Sequence, residues 1–291
     1  MKSALVAIST TGTRKETFDV INHISKSLNG IGVKPVFSIC SDNRQIFADK
    51  PFKDTVCFSL KKSGSFDYTY YTIEAIQRGV EAFEPDFIST ISDDFVLPAK
   101  KFKNVISPLL NGLDATFGSW GSNKIASTYP KFQYVSELFV NRIANFALKS
   151  SNLNYKNLLS YSSDYKSDFS DMVQIFTGIF AFRKESWASV LDKMLEIFGS
   201  EKLRWSLEVA LLLISVETGL NIKNVVCNRE KEINPPISGE RTTRIIQMKD
   251  VFEHTNVFLK YSKQYEKLKE ITEVQSQMIK IVETLLRNSK A

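Results

Sequence analysis

The sequence predicts an α/β fold, a mostly parallel, doubly wound sheet flanked by helices, with a long helical extension at its C-terminal end. Three observations carry this. Short apolar runs alternate with amphipathic segments of helical period from Ala4 onward, the rhythm of strand–helix–strand units. Four successive strand ends carry polar, turn-forming residues: Thr10-Thr11-Gly12, Asp42-Asn43, Lys62-Ser63-Gly64 and Ser92-Asp93-Asp94. From Arg241 to Ala291 there is neither Gly nor Pro, and apolar residues recur at three- and four-residue steps.

Ala4–Ser9 is an apolar, β-branched run and reads as the first strand. In Lys15–Leu28, Phe18, Ile21, Ile24 and Leu28 share one helical face, and Asn29-Gly30-Ile31-Gly32 stops it. Val33–Cys40 and Thr55–Leu60 are the next strands. Ser65–Phe83 is a helix with Ile73, Ile76, Val80 and Phe83 on one side, and the stretch Phe87–Pro98 starts as a buried strand and then gives Ser92-Asp93-Asp94. Lys100–Leu110 reads as one helix, Ala115–Trp120 as a strand and Tyr134–Leu148 as a helix.

Ser150–Asp171 is polar and aperiodic, which suits either a lid or acceptor loop or a surface insertion. Val173–Phe182 is an apolar strand interrupted by Thr177-Gly178, where a glycine marks close approach of backbone or ligand. Arg183-Lys184-Glu185 starts a helix. Another opens at Trp205-Ser206-Leu207-Glu208 and runs to Gly219, with Glu208 in the first turn, where the helix dipole favours a carboxylate. Asn221–Cys227 is a last strand, and Asn228–Glu240 a charged loop with Pro235-Pro236. Beyond it, Phe258, Tyr261, Tyr265, Leu268, Ile271, Val274, Met278, Ile281 and Leu285 form a near-heptad seam, fit for packing on the domain or pairing two chains into a homo-oligomer. The chain divides accordingly into residues 1–240 and 241–291.

Asp93 and Asp94 are the chemical centre of this reading. Two adjacent carboxylates ending an apolar strand either close a polar turn or hold a divalent cation. Right-handed crossovers bring parallel strand ends to one edge of the sheet, where ligands of open α/β folds bind. The hydroxyls, backbone amides, carboxylates and lysine gathered there match the needs of a nucleoside diphosphate. Walker and GxGxxG loops are absent from the sequence, which argues against ATP hydrolysis and dinucleotide binding.

Net charge is +6, but the basic residues are spread along the chain, as on a solvated surface, so no nucleic-acid partner is expected. The three cysteines, Cys40, Cys57 and Cys227, form no CxxC pair, which excludes a disulfide framework or a zinc site and fits a cytoplasmic protein. The N-terminus lacks a signal-peptide shape and no apolar run nears the roughly 18 residues of a membrane span, although peripheral membrane contact is compatible with the charge.

From Lys2 to Arg244 the order of parts resembles the GT-A glycosyltransferases, the nucleotide-sugar-dependent fold. Ser92-Asp93-Asp94 stands where that family keeps an Asp-x-Asp motif. Val173–Trp187 is similar to the acceptor-side segment of dolichyl-phosphate mannose synthase-like enzymes. Trp205–Glu208 followed by Gly219 resembles a stretch of mannosylglycerate and glucosyl-phosphoglycerate synthases that keeps an acidic residue at the position of Glu208.

The resemblance implies a hexose donor linked to UDP or GDP, an unidentified acceptor, and Mg²⁺ or Mn²⁺ as cofactor. Asp94 would be the metal ligand, with Asp93 beside it on the diphosphate side. Thr10 and Thr11 would line the nucleotide pocket, Asp42 would read base or ribose, and Lys62, Arg241 and Arg244 would meet the phosphates. Thr177 and Gly178 would lie on the acceptor side, and Glu208 would bind hydroxyls or act as base. Two departures stand out. Ser92 replaces the first aspartate of the triplet, and no His lies between Asn221 and Arg244, where Glu232 or Asn234 would have to substitute. These departures are also compatible with a binding or assembly module of the same fold, and Thr11–Lys15 faintly echoes nucleotidyltransferases.

Overall fold

The computed structural model describes residues 1–10, 16–41, 54–60, 68–93, 95–119, 131–150, 177–199, 203–227 and 240–263, with isolated positions between 266 and 280. The chain starts with β1 (Ser3–Thr10), α1 (Glu16–Asn29), β2 (Lys34–Ser41), β3 (Thr55–Ser59), α2 (Tyr68–Phe83) and β4 (Phe87–Thr90). It continues through α3 (Val96–Lys100), α4 (Lys103–Leu110), β5 (Ala115–Ser119), α5 (Lys131–Ser150), β6 (Phe180–Arg183) and α6 (Lys184–Phe198). Last come α7 (Leu207–Glu217), β7 (Ile222–Val226) and α8 (Glu240–Tyr261).

The strands form one sheet in the order β3-β2-β1-β4-β6-β5-β7. All pairings are parallel except those of β6, which runs antiparallel to both β4 and β5. β1 is buried almost throughout and therefore reads as a continuous apolar run rather than an alternation. Its two faces nevertheless serve two cores. Ala4, Val6 and Ile8 pack with α1 residues Val20, Ile21, Ile24 and Leu28 and with Phe102, Val105 and Ile106. Ala7 belongs to the opposite, larger core with Tyr71, Ala75, Ile76, Phe180, Phe182 and Trp187.

Helix α2 lies directly on the sheet because Gly79 has no side chain. A Cβ there would stand 2.4 Å from Leu5 Cδ1 and 2.9 Å from Ser38 Cβ. Gly79→Val is therefore expected to lower stability by about 1–3 kcal/mol through overpacking, read as a lower urea midpoint at unchanged slope.

The helix predicted over Lys100–Leu110 is two helices, α3 and α4, broken at Lys101-Phe102. The Lys101 and Phe102 amides bond back to Pro98 and Ala99, three residues earlier, so the first helix closes in a tight turn. Of the predicted strand Val173–Phe182, the described part is regular only from Phe180, and it runs on to Arg183. The Arg183 guanidinium explains the extension: Nε and Nη2 donate to the carbonyls of Leu113 (3.0 Å) and Leu109 (2.8 Å), tying the strand to the end of α4.

The C-terminal segment enters the same core. Met248, Val251, Phe252, Phe258, Leu259 and Ile271 are buried with residues of the sheet and of α5 to α7. Among the described residues, no helix is long and apolar enough to cross a membrane.

Candidate active site

Strands β1, β2 and β3 end level with one another. Thr10 stands opposite Ser41, and Ser41 opposite Ser59, while Thr90 of β4 lies beside Ala7. Because β6 is antiparallel, it reaches this edge with its beginning rather than its end. That reversal brings Thr177-Gly178 next to the turn that follows β4, although more than eighty residues of sequence separate them.

Asp93 is 4% exposed and accepts a hydrogen bond from the Thr10 hydroxyl, itself buried. This pair joins the ends of β1 and β4. Gly178 takes φ of +68°, a left-handed conformation that suits glycine. A Cβ on Gly178 would lie 3.5 Å from the Phe95 ring, 3.8 Å from Ser92 Cβ and 3.9 Å from the Tyr68 hydroxyl. The turn is fixed from both sides. Thr90 Oγ1 donates to the Gly178 carbonyl (3.3 Å), and Thr177 Oγ1 donates to the Gly118 carbonyl (3.0 Å).

Glu208 completes the group. It lies in the first turn of α7, 7% exposed, and its Oε1 accepts the Gly178 N–H at 2.9 Å. A buried carboxylate needs partners of this kind, and a charge-assisted bond to a backbone amide is among the stronger ones. Its charge reaches Tyr68: burial first, then Glu208, holds the Tyr68 hydroxyl well above the usual phenol range, against the lowering effect of a hydrogen bond with Thr72. The Tyr68 ring stacks on Trp205 with centroids 5.9 Å apart and planes 4° from parallel.

Three stretches that the sequence marked separately, Ser92-Asp93, Thr177-Gly178 and Glu208, thus meet at one point. Arg244 lies in α8, where its guanidinium pairs with Glu137 of α5 at 3.2 Å and bonds Gln247. Thr11, Asp42, Lys62, Asp94, the side chain of Arg241, the segment 151–176 and the loop with Glu232 and Asn234 lie outside the described residues. Tyr68 is a site residue that the periodicity of its helix did not single out. The available signal was the aromatic run Tyr68-Thr69-Tyr70-Tyr71 in the first turn after a polar strand end.

No protein-family model matches the sequence, and no curated protein matches it. Solved structures do match in three dimensions. Glucosyl-3-phosphoglycerate synthase from Mycobacterium tuberculosis in complex with uridine-diphosphate superposes with a TM-score of 0.54 at 13% identity, over 87% of this chain and 80% of that one. The same synthase with Mn²⁺, uridine-diphosphate and glucosyl-3-phosphoglycerate gives 0.50, again at 13% identity and over 87% and 80% of the two chains. The chain has the GT-A fold.

Proposed function

We propose that this protein is a glycosyltransferase that moves a hexose from a UDP- or GDP-linked donor to an acceptor. The observation that supports this best is the contact of Glu208 with Gly178 beside the Ser92-Asp93 turn, at the edge of the sheet where ligands of open α/β folds bind. In the structural neighbour the bound molecules are uridine-diphosphate, Mn²⁺ and a glucosylated phosphoglycerate.

The carboxylate pair fits a divalent cation shared with a diphosphate. Such a cation takes one or two carboxylates from the protein and fills its other positions with phosphate oxygens and water. Among the described residues, no group of three His, Cys, Asp or Glu side chains forms a metal cage, and a shared cation does not require one. Asp93 already accepts from Thr10, so Asp94 would be the main ligand and Asp93 its neighbour. Bound there, Mg²⁺ or Mn²⁺ would neutralise the charge that develops on the leaving diphosphate.

The chain's own groups then divide the work. Thr10 fixes Asp93, next in sequence to Asp94, and Thr11 and Asp42 would contact the nucleoside. Lys62 and Arg241 would meet the phosphates, and Arg244, paired with Glu137, would steady the helix that carries Arg241. Gly178 admits the acceptor close to the backbone, with Thr177 locking the turn. Glu208 orients sugar or acceptor hydroxyls and serves as base if the configuration inverts. Residues 1–240 would hold the site apart from Arg241. Chain pairing through the C-terminal segment would use positions beyond α8, in which Met248, Val251, Phe252, Phe258 and Leu259 are buried within the chain. A cytoplasmic location accords with three cysteines that form no disulfide.

The test is thermal stabilisation by UDP, GDP, CMP and their sugars with and without Mn²⁺, followed by donor hydrolysis. A ligand at 100 times its Kd stabilises by about 2.7 kcal/mol. Stabilisation by a nucleoside diphosphate together with hydrolysis of its sugar is the expected result. Stabilisation without turnover would favour a binding module on the same fold. No response to any nucleotide would overturn both.

A further inference from the structure

We infer that His254, on the C-terminal helix α8, is a positioning residue that sets Glu208 and Trp205 through Ser206. The inference rests on the site just proposed and adds to it a residue from outside the sheet edge.

Ser206 is the N-cap of α7, where a serine hydroxyl ordinarily accepts an N–H of its own helix. Here it makes no such cap. The hydroxyl, fully buried, instead faces His254 Nδ1 at 2.9 Å. The same nitrogen is 2.7 Å from the Asp250 carbonyl. A carbonyl only accepts, so Nδ1 carries the proton and shares it between Asp250 and Ser206. The His254 ring, 5% exposed, is fixed by an edge contact with Phe198 at 5.7 Å.

Two more tethers hold the same turn. The Arg204 carbonyl accepts from both the amide (2.9 Å) and the hydroxyl (2.6 Å) of Thr69, the second residue of α2. The Arg204 guanidinium lies 3.8 Å from Asp250 of α8. Between these anchors Arg204 adopts φ of +43°, a conformation costly for a residue with a Cβ and kept only where the surroundings impose it. The Ser206 amide closes the turn on the Leu203 carbonyl at 2.7 Å. A strained turn clamped from α2 and α8 therefore presents Trp205 to Tyr68 and, two residues after Ser206, Glu208 to the Gly178 amide. Release of the α8 clamp removes the constraint that aims both side chains.

The test compares His254→Phe, which keeps a ring of similar size, with His254→Asn, which restores a donor near the position of Nδ1. Ser206→Ala, a smaller change, reports on the same bond if the phenylalanine variant does not fold. Amide exchange by NMR at Gly178 and Trp205 is referenced to Ile8 in β1. Exchange at Gly178 should quicken about tenfold in the His254→Phe or Ser206→Ala protein, with Ile8 unchanged, and return to within about twofold in His254→Asn. Where a donor is turned over, the same variants should lower kcat and leave the affinity for UDP or GDP in place. Exchange that rises equally at Gly178 and Ile8, or at neither, would overturn the inference. Faster exchange at Gly178 in a protein that binds no nucleotide would sustain the clamp and sink the glycosyltransferase reading instead.

Discussion

Glu208→Gln is expected to retain the fold and to reduce sugar transfer by about 10²- to 10⁴-fold, the range that a positioned acid–base group contributes. The glutamine carbonyl can still accept the Gly178 N–H now bonded to Glu208 Oε1, so the turn at Thr177-Gly178 keeps its partner. Only the negative charge and its basicity are lost. Glu208→Ala removes the acceptor as well. It leaves the Gly178 amide without its carboxylate partner, a loss of about 1–3 kcal/mol where that group stays buried. Urea denaturation should therefore rank the proteins as wild type, Gln, then Ala, whereas transfer activity should separate wild type from both variants. A Gln variant as active as wild type would reduce Glu208 to a brace for Gly178. The helix dipole would then be sufficient reason for an acidic residue in the first turn of α7.

Much of the architecture could be read from the chain because buried parallel strands announce themselves. β1 and β2 are largely buried and largely apolar, and each ends in a hydroxyl-bearing residue, Thr10 or Ser41, at its carboxyl end. The direction of β6 had no such signature. An apolar strand reads the same in either orientation, and only its pairing with β4 and β5 shows that it enters the site backwards. For that reason the Gly178–Glu208 bond, between positions thirty residues apart, could not be deduced from spacing, although both residues were marked. The hydrogen bond from Thr10 to Asp93 was hidden for a similar reason. Which residue after the strand faces Thr10 depends on the backbone at the end of β4. His254 is a buried histidine on the C-terminal helix. What the sequence could not show is that its partner is the cap of the helix that carries Glu208.

With Asp93 bonded to Thr10 and Asp94 proposed as the metal ligand, opposite outcomes are expected for neighbouring carboxylates. Asp93→Ala takes away the acceptor of the Thr10 hydroxyl, which is 2% exposed, and should cost about 1–3 kcal/mol of stability. Thr10→Val removes the other half of the same bond. The double variant should then be less destabilised than the sum of the two single changes, the mark of a direct interaction in a double-mutant cycle. Asp94→Ala should leave the urea midpoint within about 0.5 kcal/mol of wild type if the proposed metal role is its whole contribution. Its effect belongs to the ligand. Stabilisation by nucleoside diphosphate in the presence of Mn²⁺ should be lost, and transfer should fall by about 10²- to 10³-fold, as when one group stabilising transition-state charge is removed. If Asp94→Ala kept its Mn²⁺-dependent response while Asp93→Ala lost it without loss of stability, the cation would belong to Asp93. The hydrogen bond from Thr10 would then serve to orient a ligand rather than to close the sheet edge.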